Sequence, residues 1–374
     1  MSPEVAEGVP YDDRSAAGVA QIFRYFGRIE APQLDSPLYA ELCEGVAEDP
    51  ELLAIAVQTP VSQPPPNMLF AAAQYLLLGG AEHPLAAHYP AISGAPRRDV
   101  PAFPAFRDFC LDHRDEIESL VTTRMTQTNV LKRCVCLLPA FATLGLEAPD
   151  RPLALIEVGP SAGLNMHWDR YQYDYADVRG AHVTWGDPAS PVRLDAELRG
   201  DLPLPDLTAA PRVAWRAGVD LNPIDLTDPD GVRWLRALIW PEHVERHARL
   251  ATAIELARER PPRIVTGDAV EELPALLDEA PRDAQLCVYA THALYQFSRD
   301  ARVALYAAMQ RASRLRPVAF LSMEGTRPPH SELMLTRYRG DERTTRKLAD
   351  CNPHGWWVEW IADDRPRGYG SGLA

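Results

Sequence analysis

Apolar residues in the first 148 positions recur at helical spacing. Val19, Ile22, Phe23 and Phe26 form one such set, and Val130, Cys134, Leu137, Phe141 and Leu144 form another. Residues 67–78 (NMLFAAAQYLLL) are nearly all apolar but too short to span a bilayer, so a buried helix ended by Gly79-Gly80 is predicted. The breaks between these segments are rich in proline: TPVSQPPP at 59–66, then Pro90, Pro96, Pro101 and Pro104. No strand is expected before residue 150.

After Ala148-Pro149-Asp150 the pattern changes. Residues 153–158 (LALIEV) form a short continuous apolar run followed by a glycine-containing turn. Further runs occupy 213–219, 263–266, 286–290, 318–323, 333–338 and 356–360. Helical patterns at 231–239, 241–260 and 299–315 separate most of them. Strands alternating with helices predict an α/β domain with a mainly parallel sheet covered on both faces. The last two runs have no helical pattern before them and are expected to close the sheet as an antiparallel edge. Residues 166–212 read as an irregular, aromatic and proline-bearing insertion. The division expected is a helical domain at 1–148 and a sheet domain at 149–374.

The chain has 374 residues, with 52 acidic and 38 basic side chains and a net charge of −14. A net-negative field opposes a polyanion, so no nucleic-acid partner is expected. No apolar run reaches about 18 residues, so no membrane span is expected. The opening segment MSPEVAEGVPYDD is acidic and unlike a secretory signal, which suits a cytoplasmic protein. The six cysteines are scattered in apolar contexts and read as reduced core thiols. His243 and His247 share a helix face, but HVERH lacks the zinc-protease glutamate, so a solvated face and no metal are expected.

The turn Gly159-Pro160-Ser161-Ala162-Gly163 fits two chemistries. As GxSxG it matches a serine hydrolase elbow, with Asp268 and His292 following in triad order. It also fits the first glycine loop of a nucleotide-binding unit, in which a helix N-terminus follows. An elbow serine follows several earlier strands, whereas LALIEV is the first strand here, which favours the second reading.

Region 153–361 resembles the core of class I S-adenosylmethionine-dependent methyltransferases. In IEVGPSAGLN, Glu157, Gly159 and Gly163 match that superfamily's first motif, and Ser161 replaces its middle glycine. GVDLNP at 218–223 resembles the end of the second strand, which implies that Asp220 bonds the cofactor ribose. VTGDAVEEL at 265–273 resembles the end of the third, which implies that Asp268 and Ala269 flank the adenine. LCVYATHALY at 286–295 resembles the fourth strand, and the runs at 333–338 and 356–360 its sixth and seventh. The resemblance implies a Rossmann-like seven-stranded sheet and S-adenosylmethionine as cofactor. Two features depart from the pattern: the long insertion before Asp220, and EGTRPPHS at 324–331, which leaves no room for a helix. The whole chain, including QTN at 127–129 and IEVGPSAGLNMHWDRYQYDY, also resembles a bacterial family known as domain of unknown function 2332.

The candidates for chemistry are His292, a possible general base, Tyr295, which orients substrate, and Glu324. Gln127 and Asn129 are candidates to reach over the sheet, joined by Trp168 and Tyr171 from the insertion. Each has a structural alternative: a turn aspartate for Asp220, a helix N-cap for Asp268, Thr128 or Asn129, an arginine partner for Glu157, and aromatic packing for the rings. The expected function is methyl transfer to a small molecule. The alternatives are a non-catalytic ligand-binding or assembly protein and, third, the serine hydrolase.

Overall fold

A computed structural model describes residues 11–95, 99–327 and 330–362. Pro96 and the first ten residues of the opening segment lie outside them. The chain divides into two compact units, residues 1–128 with 225–251, and residues 129–224 with 252–374.

The first unit is helical. It contains α1 (Ala16–Tyr25), α2 (Ala31–Gln33), α3 (Pro37–Glu48), α4 (Pro50–Ala56), α5 (Pro65–Leu78), α6 (Pro90–Ser93), α7 (Phe103–Asp112) and α8 (Arg114–Thr123). Ser15, Ser36 and Asp49 cap α1, α3 and α4 by accepting backbone N–H groups that a first helical turn leaves unpaired. The core centres on Phe70 of α5, whose ring lies 4.5 Å from Tyr39, 5.6 Å from Phe106 and 5.8 Å from Phe23.

A later stretch of chain returns to these helices. The buried Gln74 amide donates to the Ala237 and Ile239 carbonyls at 2.9 and 2.5 Å. These carbonyls sit at the C-terminus of a helix at Pro229–Ala237, where no intrahelical donor remains. His243 bonds the Leu34 carbonyl at 2.7 Å and His247 is buried, its imidazole pushed down to about 4 by burial. The solvated histidine face expected from the sequence is therefore part of the helical core.

The second unit starts with α9 (Cys134–Glu147); α10 (Pro229–Ala237) and most of α11 (Val244–Arg258) belong to the first. Two more helices, α12 (Ala269–Glu279) and α13 (Arg299–Ala312), follow in the second unit. Its strands are β1 (Leu153–Val158), β2 (Gln172–Asp177), β3 (His182–Trp185), β4 (Arg193–Arg199), β5 (Val213–Asp220), β6 (Ile264–Thr266), β7 (Gln285–Thr291), β8 (Val318–Arg327), β9 (His330–Arg339), β10 (Glu342–Cys351) and β11 (Trp357–Trp360). All eleven form one sheet in the order β3-β2-β4-β11-β10-β9-β8-β7-β1-β5-β6. Among the described residues, no strand precedes β1.

The sheet thus has eleven strands, not seven. Its β6-β5-β1-β7-β8 portion is parallel, and every residue of β1 is buried, as a strand covered on both faces requires. Beyond β8, the strands β9, β10 and β11 run as an antiparallel meander. The runs expected to form the edge are therefore interior strands. The insertion is not irregular: β2, β3 and β4 extend the sheet, with β4 parallel to β11.

Helix α9, grouped by its pattern with the N-terminal helices, clusters with the sheet. Every residue from Cys134 to Gly145 is buried, so α9 has no polar stripe. Phe141 lies 4.7 Å from the Trp168 ring and 5.7 Å from that of Tyr289 on β7, and Tyr175 on β2 bonds the Val135 carbonyl. The segment before α9 is a 3-10 turn at Leu131–Arg133 without a side-chain cap, so neither Thr128 nor Asn129 is an N-cap.

Candidate functional site

After β1 the chain builds β2, β3 and β4 at the far end of the sheet, returns to lay β5 and β6 on one side of β1, and then crosses to β7 and β8 on the other. In doubly wound sheets, ligands bind in the crevice beyond the carboxyl ends where the order reverses, here between β1 and β7. Glu157, the glycine turn, Asp220, Asp268, His292, Tyr295 and Glu324 all lie at or just past the carboxyl ends of the five parallel strands.

The backbone is strained at this edge. Among the described residues, Asp35, Ser161 and His292 are the non-glycine residues with positive φ, and the last two follow β1 and β7. Left-handed backbone costs a residue with a Cβ about 1–2 kcal/mol, and such strain gathers at functional sites. Gly159 also has positive φ, and a Cβ there would lie 2.8 Å from the Ala293 Cβ. The turn is tied down from two sides. The Ser161 N–H donates to Asp220 Oδ2 at 2.8 Å, and the Leu164 N–H donates to Asn129 Oδ1 at 2.9 Å. Asp220 Oδ1 accepts from the Asn222 N–H at 2.9 Å, so its turn role is realised. The Ser161 hydroxyl is buried and has no hydrogen-bond partner.

Asp268 is exposed and caps α12, its Oδ1 accepting from the Val270 N–H at 2.7 Å; Ala269 beside it is buried. The chain after Gly163 enters a 3-10 segment at Leu164–Arg170, so the helix that follows a nucleotide-type glycine loop is only a short 3-10 segment here. Trp168 and Tyr171, expected at the mouth, are fully buried. Trp168 packs between Phe141 and Trp185, and the Tyr171 hydroxyl donates to the Leu164 carbonyl at 2.6 Å. They are core side chains because the insertion is sheet. Gln127 belongs to the helical unit.

Burial governs the charges. Glu157 is enclosed and accepts the Tyr289 hydroxyl at 2.9 Å. Burial pushes its carboxyl up to about 8; Asp220 adds to the rise, while Tyr289 and Arg133 oppose it. Glu324 Oε1 accepts from the Ala293 and Leu294 N–H groups at 3.1 Å each, and its Oε2 is buried without a partner. Burial raises its carboxyl above the usual range despite those bonds and the nearby Arg133. His292 Nε2 lies 2.9 Å from the Ser331 hydroxyl, and Ser331 is fully buried. Burial, reinforced by Arg133, pushes the imidazole down to about 2. It stays neutral near pH 7 and is a weak proton acceptor there. Tyr295 is 38% exposed and so accessible to a ligand.

No triad assembles from Ser161, Asp268 and His292: His292 pairs with Ser331, Asp268 caps a helix, and the Ser161 hydroxyl bonds nothing. Among the described residues, no group of three or more His, Cys, Asp or Glu could hold a metal ion. No helix among them is long and apolar enough to cross a membrane.

Sequence reasoning missed Arg133, Tyr289 and Ser331. Arg133 sits in LKR between a polar segment and an apolar helix, and Tyr289 is one ring within an apolar run. Only the strand register shows that Tyr289 stands directly beside Glu157.

No match was found among curated proteins. A family model described as "Uncharacterized protein conserved in bacteria (DUF2332)" matches residues 20–360. This match spans most of the 374 residues, and the chain belongs to that family.

Proposed function

We propose that the second unit is an S-adenosylmethionine-dependent methyltransferase acting on a small molecule, with a Rossmann-like parallel half. The observation that carries this reading is the coincidence of strain and topology: Ser161 and His292 take left-handed backbone at adjacent strand ends where the sheet order reverses.

The residues present fit an adenosyl ligand. Ser161 has a buried hydroxyl without a partner, and Asp220 holds a carboxylate against the same turn. In this reading Ser161 and Asp220 hold the ribose, Asp268 and Ala269 border the adenine, and the Gly159 and Gly163 backbone lies along the ligand. Glu157 acts through Tyr289 and the β1–β7 pair as a positioning residue. The bound cofactor would supply an electrophilic methyl group. The chain would orient an acceptor in line with that group and exclude water. Tyr295 is the accessible hydroxyl for orienting the acceptor. His292, neutral and bonded to Ser331, serves as a fixed hydrogen-bonding group, and Glu324 holds the turn after β7.

Isothermal titration with S-adenosylhomocysteine tests the reading. Saturable binding is expected, weakened about 3- to 10-fold by Ser161→Ala, which removes only the unpartnered hydroxyl. Absence of binding to both S-adenosylmethionine and S-adenosylhomocysteine would sink it. Binding without methyl transfer to any acceptor in a small-molecule extract would favour the second reading, a ligand-binding protein on the same sheet. That reading draws on the same residues, because both Asp220 oxygens already serve the backbone.

A further inference from the structure

We infer that Arg133 anchors a carboxylate group of a bound small molecule at the carboxyl ends of β7 and β8. The inference deepens the proposed function, because it names a chemical group that the site takes.

Arg133 closes the 3-10 turn before α9. Its Nη1 donates to the Thr291 carbonyl at 3.1 Å, at the end of β7, and its Nε donates to the Pro353 carbonyl at 3.0 Å. Both partners are neutral. Among the described residues Arg133 forms no ion pair, although a partly buried guanidinium is normally matched by an anion. The nearby carboxyl groups bond other donors. Glu157 accepts the Tyr289 hydroxyl, and Glu324 accepts the Ala293 and Leu294 N–H groups through Oε1, its Oε2 being unpaired. Burial raises both carboxyls above their usual range.

The two carbonyls fix the plane of the guanidinium and leave Nη2 without a protein partner. A planar fork held in this way suits a carboxylate, which can accept from Nη1 and Nη2 together. The chemistry has two possible sources: the amino-acid tail of an adenosyl cofactor, or the methyl acceptor.

The test is ligand titration of the full chain by thermal shift at constant ionic strength. The probes are S-adenosylhomocysteine, 5′-methylthioadenosine (the same thioether without the amino-acid tail), benzoate and malonate, and the uncharged benzamide and malonamide. At least one carboxylate should stabilise the wild type more than its uncharged counterpart. Arg133→Gln should weaken that carboxylate about 10- to 100-fold, and Arg133→Lys should lose less. A loss confined to S-adenosylhomocysteine, with methylthioadenosine unchanged, assigns the carboxylate to the cofactor. A loss confined to benzoate or malonate assigns it to the acceptor.

The inference is overturned if no carboxylate is preferred to its uncharged counterpart in the wild type. It is equally overturned if Arg133→Gln leaves that preference intact. The wild-type comparison stands even if a variant misfolds. If neither adenosyl ligand binds while a carboxylate binds through Arg133, the proposed cofactor fails and the anchor survives.

Discussion

The hydroxyl of Tyr175 donates to the carbonyl of Val135 at 2.8 Å. That carbonyl stands four residues before Pro139, which has no N–H to give it. A strand residue therefore supplies the hydrogen bond that the proline removes from α9. Tyr175→Phe should leave this oxygen buried and unpaired, at a cost of about 1–3 kcal/mol. Pro139→Ala restores the helical donor, so Tyr175→Phe should cost less than half as much in that background. Denaturant unfolding of the four proteins measures the coupling; strictly additive effects would show that the bond is not compensating for the proline.

Ser161 combines left-handed backbone with an unpartnered buried hydroxyl. Ser161→Gly removes both and should stabilise the fold by about 1 kcal/mol. The same change should weaken S-adenosylhomocysteine binding, a trade expected where strain serves a site. A fluorophosphonate probe should leave the wild-type serine unlabelled. Stoichiometric labelling abolished by Ser161→Gly would instead make it a nucleophile.

Asp220 joins two turns through Ser161 and Asn222. Asp220→Asn keeps the shape but replaces one acceptor oxygen with a donor. It should cost about 1–3 kcal/mol, measured by urea unfolding. A variant as stable as the wild type would show that these bonds contribute little.

Glu157 introduces a pH dependence. Its folded carboxyl is pushed up to about 8, against 4.5 for an ordinary glutamate, with Tyr289, Asp220 and Arg133 as its charged and polar surroundings. The folded chain keeps a proton that the unfolded chain releases, so this contribution is complete below the unfolded value. It is lost as pH rises through the folded one. Stability should therefore fall between about pH 5 and pH 8, and Glu157→Gln should flatten that fall. Parallel unfolding midpoints across the range in both proteins would remove Glu157 as the source.

The parallel half of the sheet was legible because strands buried on both faces read as unbroken apolar runs, as in LALIEV. Strand β10 was hidden because its first residues, ERTT, are exposed and highly polar, and only the half near Cys351 is buried. Strand β2 carried a signal that went unread: Tyr173 and Tyr175 alternate with polar residues, the period of a half-buried strand. Helix α9 was recognisable as a helix, but its burial on every side left no stripe to reveal its partners. The placement of the glycine turn, Asp220 and Asp268 at strand ends was legible in the sequence. The position of Arg133 was not, because it is set by carbonyls at 291 and 353 that only folding brings to it.

The pairing of β4 with β11 sets a timetable for synthesis. Glu197 of β4 meets Trp357 of β11, so β2, β3 and β4 leave the ribosome long before the strand that joins them to the rest of the sheet. At ~5–20 residues per second, that wait is on the order of ten seconds. During it, β4 has β2 on one side and an unclaimed row of backbone donors and acceptors on the other. A nascent chain in this state is a template for foreign strands. Its yield should therefore depend on what shields β4 until residue 360 has been made.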